Sequence, residues 1–222
     1  MRSELAQYPI TFLIIAVTVF VSWRMMDRPE ARRQLMLHPY SVFGRPDPKL
    51  LLTHAFVHRD WIHLVFNMYV LYMFGQVMEI QFLALASFKG WSLTTGRLLY
   101  LALYFGSVLA ATAPTLYKHR DNPYYFSLGA SGGVSGIVLA FILFYPFTEL
   151  LLFFIIPMPA VLAGVLFFAY EYAMSKRGGS GIAHDAHLGG AIFGLLFTIG
   201  LYPQAALEFW MQVKEMLGMG GG

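Results

Sequence analysis

Side chains that could do chemistry lie in three short stretches of a chain that is otherwise mostly apolar. "THAFVHRDWIHLVFN" (53–67) holds three histidines and an asparagine, "GASGGVSG" (129–136) two serines among glycines, and "AHDAHLGG" (183–190) two more histidines. A serine hydroxyl becomes a nucleophile when a neighbouring base takes its proton, and neutral imidazole is the usual base. These stretches predict a Ser131–His187 pair, provided that the fold brings the two together.

Two pairs of glycines could make that contact, each pair four residues apart: Gly132 with Gly136, and Gly190 with Gly194. Small residues at this spacing let two helix backbones approach closely in a membrane. Alone, such glycines are more often only a packing surface. The serine and the histidine beside them carry the functional interpretation.

His63 and Asn67 lie at positions i and i+4, so both project from one face of a helix. With the backbone N–H groups of a helix that begins at Ser131, they could donate hydrogen bonds to an oxyanion. His54 and His58 are interpreted mainly as structural polar residues where the loop meets the helix. Ser135 lies one turn beyond Ser131 and is interpreted as a packing residue.

The composition indicates a membrane protein. Of the 222 residues, 58% are hydrophobic and 12% are charged, whereas a soluble domain carries about 25% charged residues. A net charge of +3 with scattered lysines and arginines gives no reason to expect a nucleic-acid partner. The absence of cysteine excludes disulfides and thiol chemistry.

Six apolar runs predict an all-α bundle of six transmembrane helices, near 8–23, 61–80, 97–117, 129–145, 157–174 and 184–203. The first run is interpreted as an uncleaved span rather than a signal peptide. Residues 81–96 are expected to form a loop and 146–156 a short connection at the membrane interface. One domain is predicted over 1–205, with a C-terminal tail over 206–222.

The second, fourth and sixth spans begin on the same membrane face, so the three polar stretches can meet at similar depth. The fourth span, about 17 residues, is only about 26 Å long at about 1.5 Å per residue. Ser131 at its start is therefore expected to lie below the bilayer surface.

Other reaction classes lack a necessary group. A pair of catalytic aspartates is excluded because every aspartate lies in a loop or at a span end: Asp27, Asp47, Asp60, Asp121 and Asp185. "HAFVH" has Ala55 where the zinc motif H-E-x-x-H needs its glutamate. A small transporter with a histidine proton relay is disfavoured because acidic residues at membrane depth and repeat symmetry are lacking. Serine chemistry without a metal or other cofactor remains.

In these motifs the chain resembles the rhomboid family of intramembrane serine proteases. "GASG" (129–132) is similar to the family's G-x-S-G motif, "HLGGAIFG" (187–194) to its H-x-x-G-x-x-x-G, and "HLVFN" (63–67) to its H-x-x-x-N. Glu79 stands where the second helix of the family usually carries a glutamate.

The resemblance implies a six-helix rhomboid-like bundle that cleaves transmembrane protein substrates among membrane lipids. It implies Ser131 as the nucleophile, His187 as a base without a carboxylate, and His63 and Asn67 at the oxyanion. The motif glycines are Gly129, Gly132, Gly190 and Gly194. The alternative is a non-proteolytic relative that binds membrane-protein clients; such relatives typically lack the serine or the histidine.

The resemblance also implies a bacterial cell membrane, with a cytoplasmic N-terminus and a site that opens to the outside. The charges conflict with this orientation, since loops on the outer side would hold eleven of the fifteen lysines and arginines. Two positions depart from the family's usual pattern. Ser135 replaces an aromatic residue that stacks on the base in many members, and Lys49-Leu50 replaces a Trp-Arg pair in loop 1.

Overall fold

The computed structural model describes residues 8–44, 47–152, 155–177 and 183–219. Within these ranges the chain forms ten α-helices, a 3₁₀ turn and a β-hairpin. The helices are α1 (Pro9–Met26), α2 (Pro29–Arg33), α3 (Pro39–Gly44), α4 (Leu50–Thr53), α5 (Trp61–Phe88), α6 (Leu93–His119), α7 (Ser131–Phe144), α8 (Ala160–Arg177), α9 (His184–Leu201) and α10 (Gln204–Met216). The 3₁₀ turn is His54–Phe56, and the strands are β1 (Glu149–Leu152) and β2 (Ile156–Pro159).

Helix α7 forms the centre of the bundle. It packs against α5, α6 and α9, and nearly all of its residues are buried. The outer helices instead expose large apolar side chains such as Phe20, Val65 and Leu196. An apolar exterior around a packed centre suits a lipid environment. The predicted all-α membrane class is confirmed, with one short hairpin as an addition.

The six predicted spans correspond in position to the six long or central helices α1, α5, α6, α7, α8 and α9. By length and composition, α1, α5 and α6 could each cross a membrane, and α9 with α10 could form a fourth span bent by 106°. Helix α7 has only 14 residues, and α8 carries Glu171, Lys176 and Arg177. Length and hydropathy alone therefore do not establish a count of six.

The prediction of a loop over residues 81–96 is wrong. Helix α5 continues to Phe88 and α6 begins at Leu93, so the turn spans only four residues. Gly90 has a φ of +71°, a left-handed conformation that favours glycine and ends the helix. Ser92 caps α6 by accepting a hydrogen bond from the Thr95 amide at 3.1 Å.

Two other connections have more regular structure than the sequence suggested. The apolar stretch 146–156 contains β1, which pairs antiparallel with β2 in a register that places Glu149 opposite Pro159. Most of α10 lies in the segment expected to be a tail, 206–222, and the helix continues to Met216. Residues 220–222 lie outside the described residues.

Glu79 ties the first helix to the bundle. Its side chain is fully buried on α5 and accepts hydrogen bonds from the amides of Ile10 and Thr11 at 3.0 and 2.8 Å and from the Thr11 hydroxyl at 2.8 Å. These amides belong to the first turn of α1, which has no partner for them within the helix. A carboxylate at this positive helix end supplies both acceptors and charge. Glu79 therefore caps α1.

We expect Glu79→Ala to lower the free energy of unfolding by about 3–5 kcal/mol, because three buried donors lose a charged acceptor. Thermal unfolding in detergent measures the change. Glu215→Ala, which removes an exposed carboxylate from α10, should shift stability by no more than about 0.5 kcal/mol. Equal effects of the two variants would contradict the capping role.

Candidate functional site

The structure brings Ser131 and His187 together. Ser131 is the first residue of α7, and His187 lies in the first turn of α9. The hydroxyl oxygen of Ser131 is 2.8 Å from Nε2 of His187. With 14 residues, α7 is about 21 Å long, shorter than a hydrocarbon core of about 30 Å. The pair can therefore lie below the membrane surface while the other end of α7 reaches the opposite face.

Close contact of two helix backbones sets this distance. A methyl group added at Gly190 would overlap the carbonyl oxygen of Gly132, and one added at Gly194 would overlap that of Gly136. The two glycine pairs singled out in the sequence thus face each other across α7 and α9. Glycine at 190 and 194 permits this approach, whereas Gly132 and Gly136 leave room chiefly for Ala111 and Ser107 of α6.

We expect Gly194→Ala to destabilise the protein by about 2–3 kcal/mol, because the added methyl must push α9 away from α7. Gly200→Ala is the matched control on the same helix, since nothing lies within 4 Å of its added methyl. It should be neutral or slightly stabilising, as alanine favours helix. Thermal unfolding of both variants checks this, and equal losses would contradict the close contact.

Loop 1, the segment between α1 and α5, holds the turn before Ser131. The Gly129 amide donates to the carbonyl oxygen of His54 at 2.9 Å, and the Ala130 amide donates to Nε2 of His58 at 3.3 Å. Leu37 and Ser127 exchange two backbone hydrogen bonds of 2.9 Å each. The path into α7 is therefore fixed by a part of the chain between 72 and 90 residues away in sequence.

His58, in its neutral form, is part of the hydrogen-bond network that holds the turn before Ser131. Its Nε2 accepts from the Ala130 amide, so Nδ1 carries the proton and donates to the Ser22 hydroxyl at 2.9 Å. Ser22 in turn donates to the Phe56 carbonyl at 2.9 Å. Burial lowers the pKa of His58 to about 3; the His63 ring acts in the same direction and Asp60 opposes it. The ring therefore stays neutral at physiological pH.

This burial predicts acid sensitivity. Between pH 3 and an ordinary histidine pKa of about 6.5, the folded state binds fewer protons than the unfolded chain. Stability is thus complete above about pH 6.5 and is lost as pH falls towards 3. Melting temperatures at pH 7.5 and 4.5 should differ less in His58→Gln than in the parent protein. Burial also lowers the pKa of His54 to about 4, so part of the loss remains; an unchanged difference would contradict the assignment.

His63 lies beside the nucleophile turn, and Asn67 lies one helical turn further along α5. A side chain at Gly129 would be 3.0 Å from Nε2 of His63 and 3.8 Å from the Ser131 hydroxyl oxygen, so both groups border the same space. Gly129 leaves that space open and has a φ of +120°. The buried Asn67 amide donates to the His63 carbonyl at 2.9 Å, so in this structure it supports the helix that carries His63.

A carboxylate that the sequence analysis missed lies against the histidine. Oε2 of Glu171, on α8, is 3.0 Å from Nδ1 of His187 and 2.7 Å from Nδ1 of His184. The expectation that acidic residues are lacking at membrane depth did not allow for Glu171, which is buried on α8. The signal was in the sequence, because an ionisable residue inside an apolar span indicates function.

Glu171, His184 and His187 also offer ligand atoms that lie within 4.8 Å of one another, close enough to hold a metal ion. The 2.7 Å contact between Glu171 and His184 has the length of a direct charge-assisted hydrogen bond. Glu171 and His184 therefore already bind each other within this cluster.

Two further polar residues lie close in sequence to the pair, Asp185 and Ser135. Asp185 pairs with Lys118 of α6 at 2.6 Å. Ser135 is buried on α7. Phe167 of α8 stacks on His187 with 6.5 Å between ring centroids and 24° between planes.

Comparison with known proteins agrees with this architecture. A family model described as the Rhomboid domain matches residues 47–204, which include every residue of the predicted site. The chain belongs to the rhomboid family. The rhomboid match covers loop 1 from residue 47 onwards and all helices from α4 to α9.

Three relatives illustrate the likeness. RHOMBOID-like protein 12, mitochondrial, of Arabidopsis thaliana is 35% identical over 81% of this chain and 54% of its own length. Rhomboid protein 1, mitochondrial, of Saccharomyces cerevisiae is 32% identical over 87% of the chain and 52% of its own length. Presenilin-associated rhomboid-like protein, mitochondrial, of Homo sapiens is 30% identical over 86% and 48%. The chain spans about half the length of the relatives that it matches.

This rhomboid protein is an integral, multi-pass membrane protein. The expected bacterial membrane finds no support in these relatives, whose names all place them in mitochondria. Some loop-1 arginines have structural partners: Arg32 donates to the Arg59 carbonyl at 3.1 Å, and Arg33 lies 4.2 Å from the centre of the Phe126 ring. Their number is therefore a poor guide to orientation.

Proposed function

We propose that this rhomboid protein is an intramembrane serine protease that hydrolyses peptide bonds in or near transmembrane segments of membrane-protein substrates. The observation that carries the proposal is the 2.8 Å contact between the Ser131 hydroxyl and Nε2 of His187. A hydroxyl at this distance from an imidazole nitrogen can pass its proton to it during attack on a carbonyl. The pair is half-buried between α7 and α9, and the shortness of α7 suits a position below the bilayer surface.

The proposed reaction has two halves. Ser131 attacks the peptide carbonyl while Nε2 of His187 takes the hydroxyl proton, and His187 then gives this proton to the leaving amine. Water repeats the sequence on the acyl-enzyme. The side chain of Ala130 cannot cap α7, so the first amides of the helix are free to bind the oxyanion with His63. Asn67 can join them if its amide turns from the His63 carbonyl.

Substrate recognition follows from the same geometry. A helical substrate hides its carbonyls in its own hydrogen bonds, so it must unwind locally before Ser131 can attack. Helix-breaking or small residues near the cleaved bond are therefore favoured. A lateral route past α8 is the path of access that we propose; most of the loop expected to cover it, 178–182, lies outside the described residues.

We also propose an orientation for the protein in its membrane. Because α1 and α7 begin at opposite faces of the bundle, a cytoplasmic N-terminus, as expected for a bacterial cell membrane, places the site on the non-cytoplasmic side. Binding of membrane-protein clients without cleavage is the competing function. The retained Ser131–His187 pair speaks against it.

We expect purified protein in lipid vesicles to cleave a fluorescently labelled transmembrane substrate. Ser131→Ala should reduce the cleavage rate by about 10³-fold or more, because the attacking oxygen is gone. Ser135→Ala is the matched control, since it removes a buried hydroxyl from the next turn of α7; we expect no more than a threefold change. Cleavage that survives Ser131→Ala would contradict the mechanism, and binding without cleavage by the parent protein would favour the client-binding function.

A further inference from the structure

One buried carboxylate lies between the two histidines at the start of α9. Glu171 and His184 are almost fully buried, and their 2.7 Å contact joins α8 to α9. Nδ1 of His187 lies 3.0 Å from the same carboxylate oxygen. A buried charge needs partners of this kind; the His184 ring provides one, and Nδ1 of His187 lies within hydrogen-bond distance.

The contact decides which nitrogen of His187 carries the proton. An ionised carboxylate can only accept hydrogen bonds, so the ring nitrogen that faces Glu171 must be the protonated one. This leaves a lone pair on Nε2, the atom 2.8 Å from the Ser131 hydroxyl. The tautomer that Glu171 selects is thus the one that a general base requires.

A second residue of α8 contacts the same ring. Phe167 lies one turn before Glu171, on the same helix face, and stacks on the imidazole plane. Helix α8 therefore contacts both the edge and the face of the His187 ring. The α7 residue one turn after the nucleophile, Ser135, has too small a side chain to stack on a ring.

We propose that Glu171, held by His184, is a positioning residue that fixes the tautomer and orientation of His187. This inference rests on the proposed function. During attack the Ser131 proton moves to Nε2 and gives an imidazolium, which the carboxylate stabilises. The Nδ1 proton stays on His187 and Glu171 stays ionised throughout. When the leaving amine departs, Nε2 gives up the proton that it received.

The resting contact is not yet a full hydrogen bond. Nδ1 of His187 has no well-aligned acceptor, although the carboxylate oxygen is 3.0 Å away. Catalytic hydrogen bonds often tighten only when substrate is bound. A positive charge forming on the imidazole would draw this N–H towards the carboxylate.

The experiment compares Glu171→Gln, Glu171→Asp and His184→Gln in the vesicle cleavage assay. Glu171→Gln keeps the size of the side chain but removes the charge, and we expect kcat to fall about 100-fold with KM within threefold of the parent value. Glu171→Asp keeps the carboxylate, and its kcat should be about tenfold higher than that of Glu171→Gln. His184→Gln should give an intermediate loss. Asp185→Asn, which removes the neighbouring carboxylate that pairs with Lys118, should leave kcat within threefold.

Two further readouts separate positioning from simple structural support. Melting temperatures should stay close to that of the parent protein in Glu171→Gln, and its reaction rate with a small fluorophosphonate, which needs only an activated serine, should fall in parallel with kcat. A kcat of Glu171→Gln within threefold of the parent value would overturn the inference. It would also be overturned if Glu171→Asp were no more active than Glu171→Gln and the melting temperature fell. If the parent protein itself neither cleaves substrate nor reacts at Ser131, the proposed function fails, and this inference fails with it.

Discussion

The site depends on one constraint, the close approach of the α7 and α9 backbones. Gly190 lies against Gly132 and Gly194 against Gly136, so close that a single methyl group would not fit. This contact places the first turns of both helices side by side, and Ser131 and His187 occupy those turns. A larger separation would break the 2.8 Å contact between hydroxyl and imidazole, whatever the chemical nature of the residues around it.

The other elements hold the two helix starts in place. Loop 1 fixes the turn before Ser131 through the His54 carbonyl and the neutral ring of His58. On the other side, α8 presents Glu171 to the two histidines of α9. Glu79 secures α1, which carries the Ser22 hydroxyl that orients His58. These polar contacts thus converge on the two helix starts that carry Ser131 and His187.

The sequence predicted the pair and its glycines because helical spacing within each span is a local property. It did not predict Glu171 as a partner of His187, because spacing along α8 does not reveal which face turns towards α9. The contacts of loop 1 could not be predicted from the sequence either, since they join irregular segments far apart in the chain. The sequence did not predict the extension of α5 to Phe88, because the glycines and threonines of residues 81–96 are typical of a loop.

If His187 activates Ser131, this serine alone should react with an alkyl fluorophosphonate. Peptide mapping by mass spectrometry after the reaction in lipid vesicles measures this directly. We expect one adduct, on Ser131, and its loss in His187→Ala. An adduct on a different serine, or labelling of Ser131 that is unchanged without His187, would contradict it.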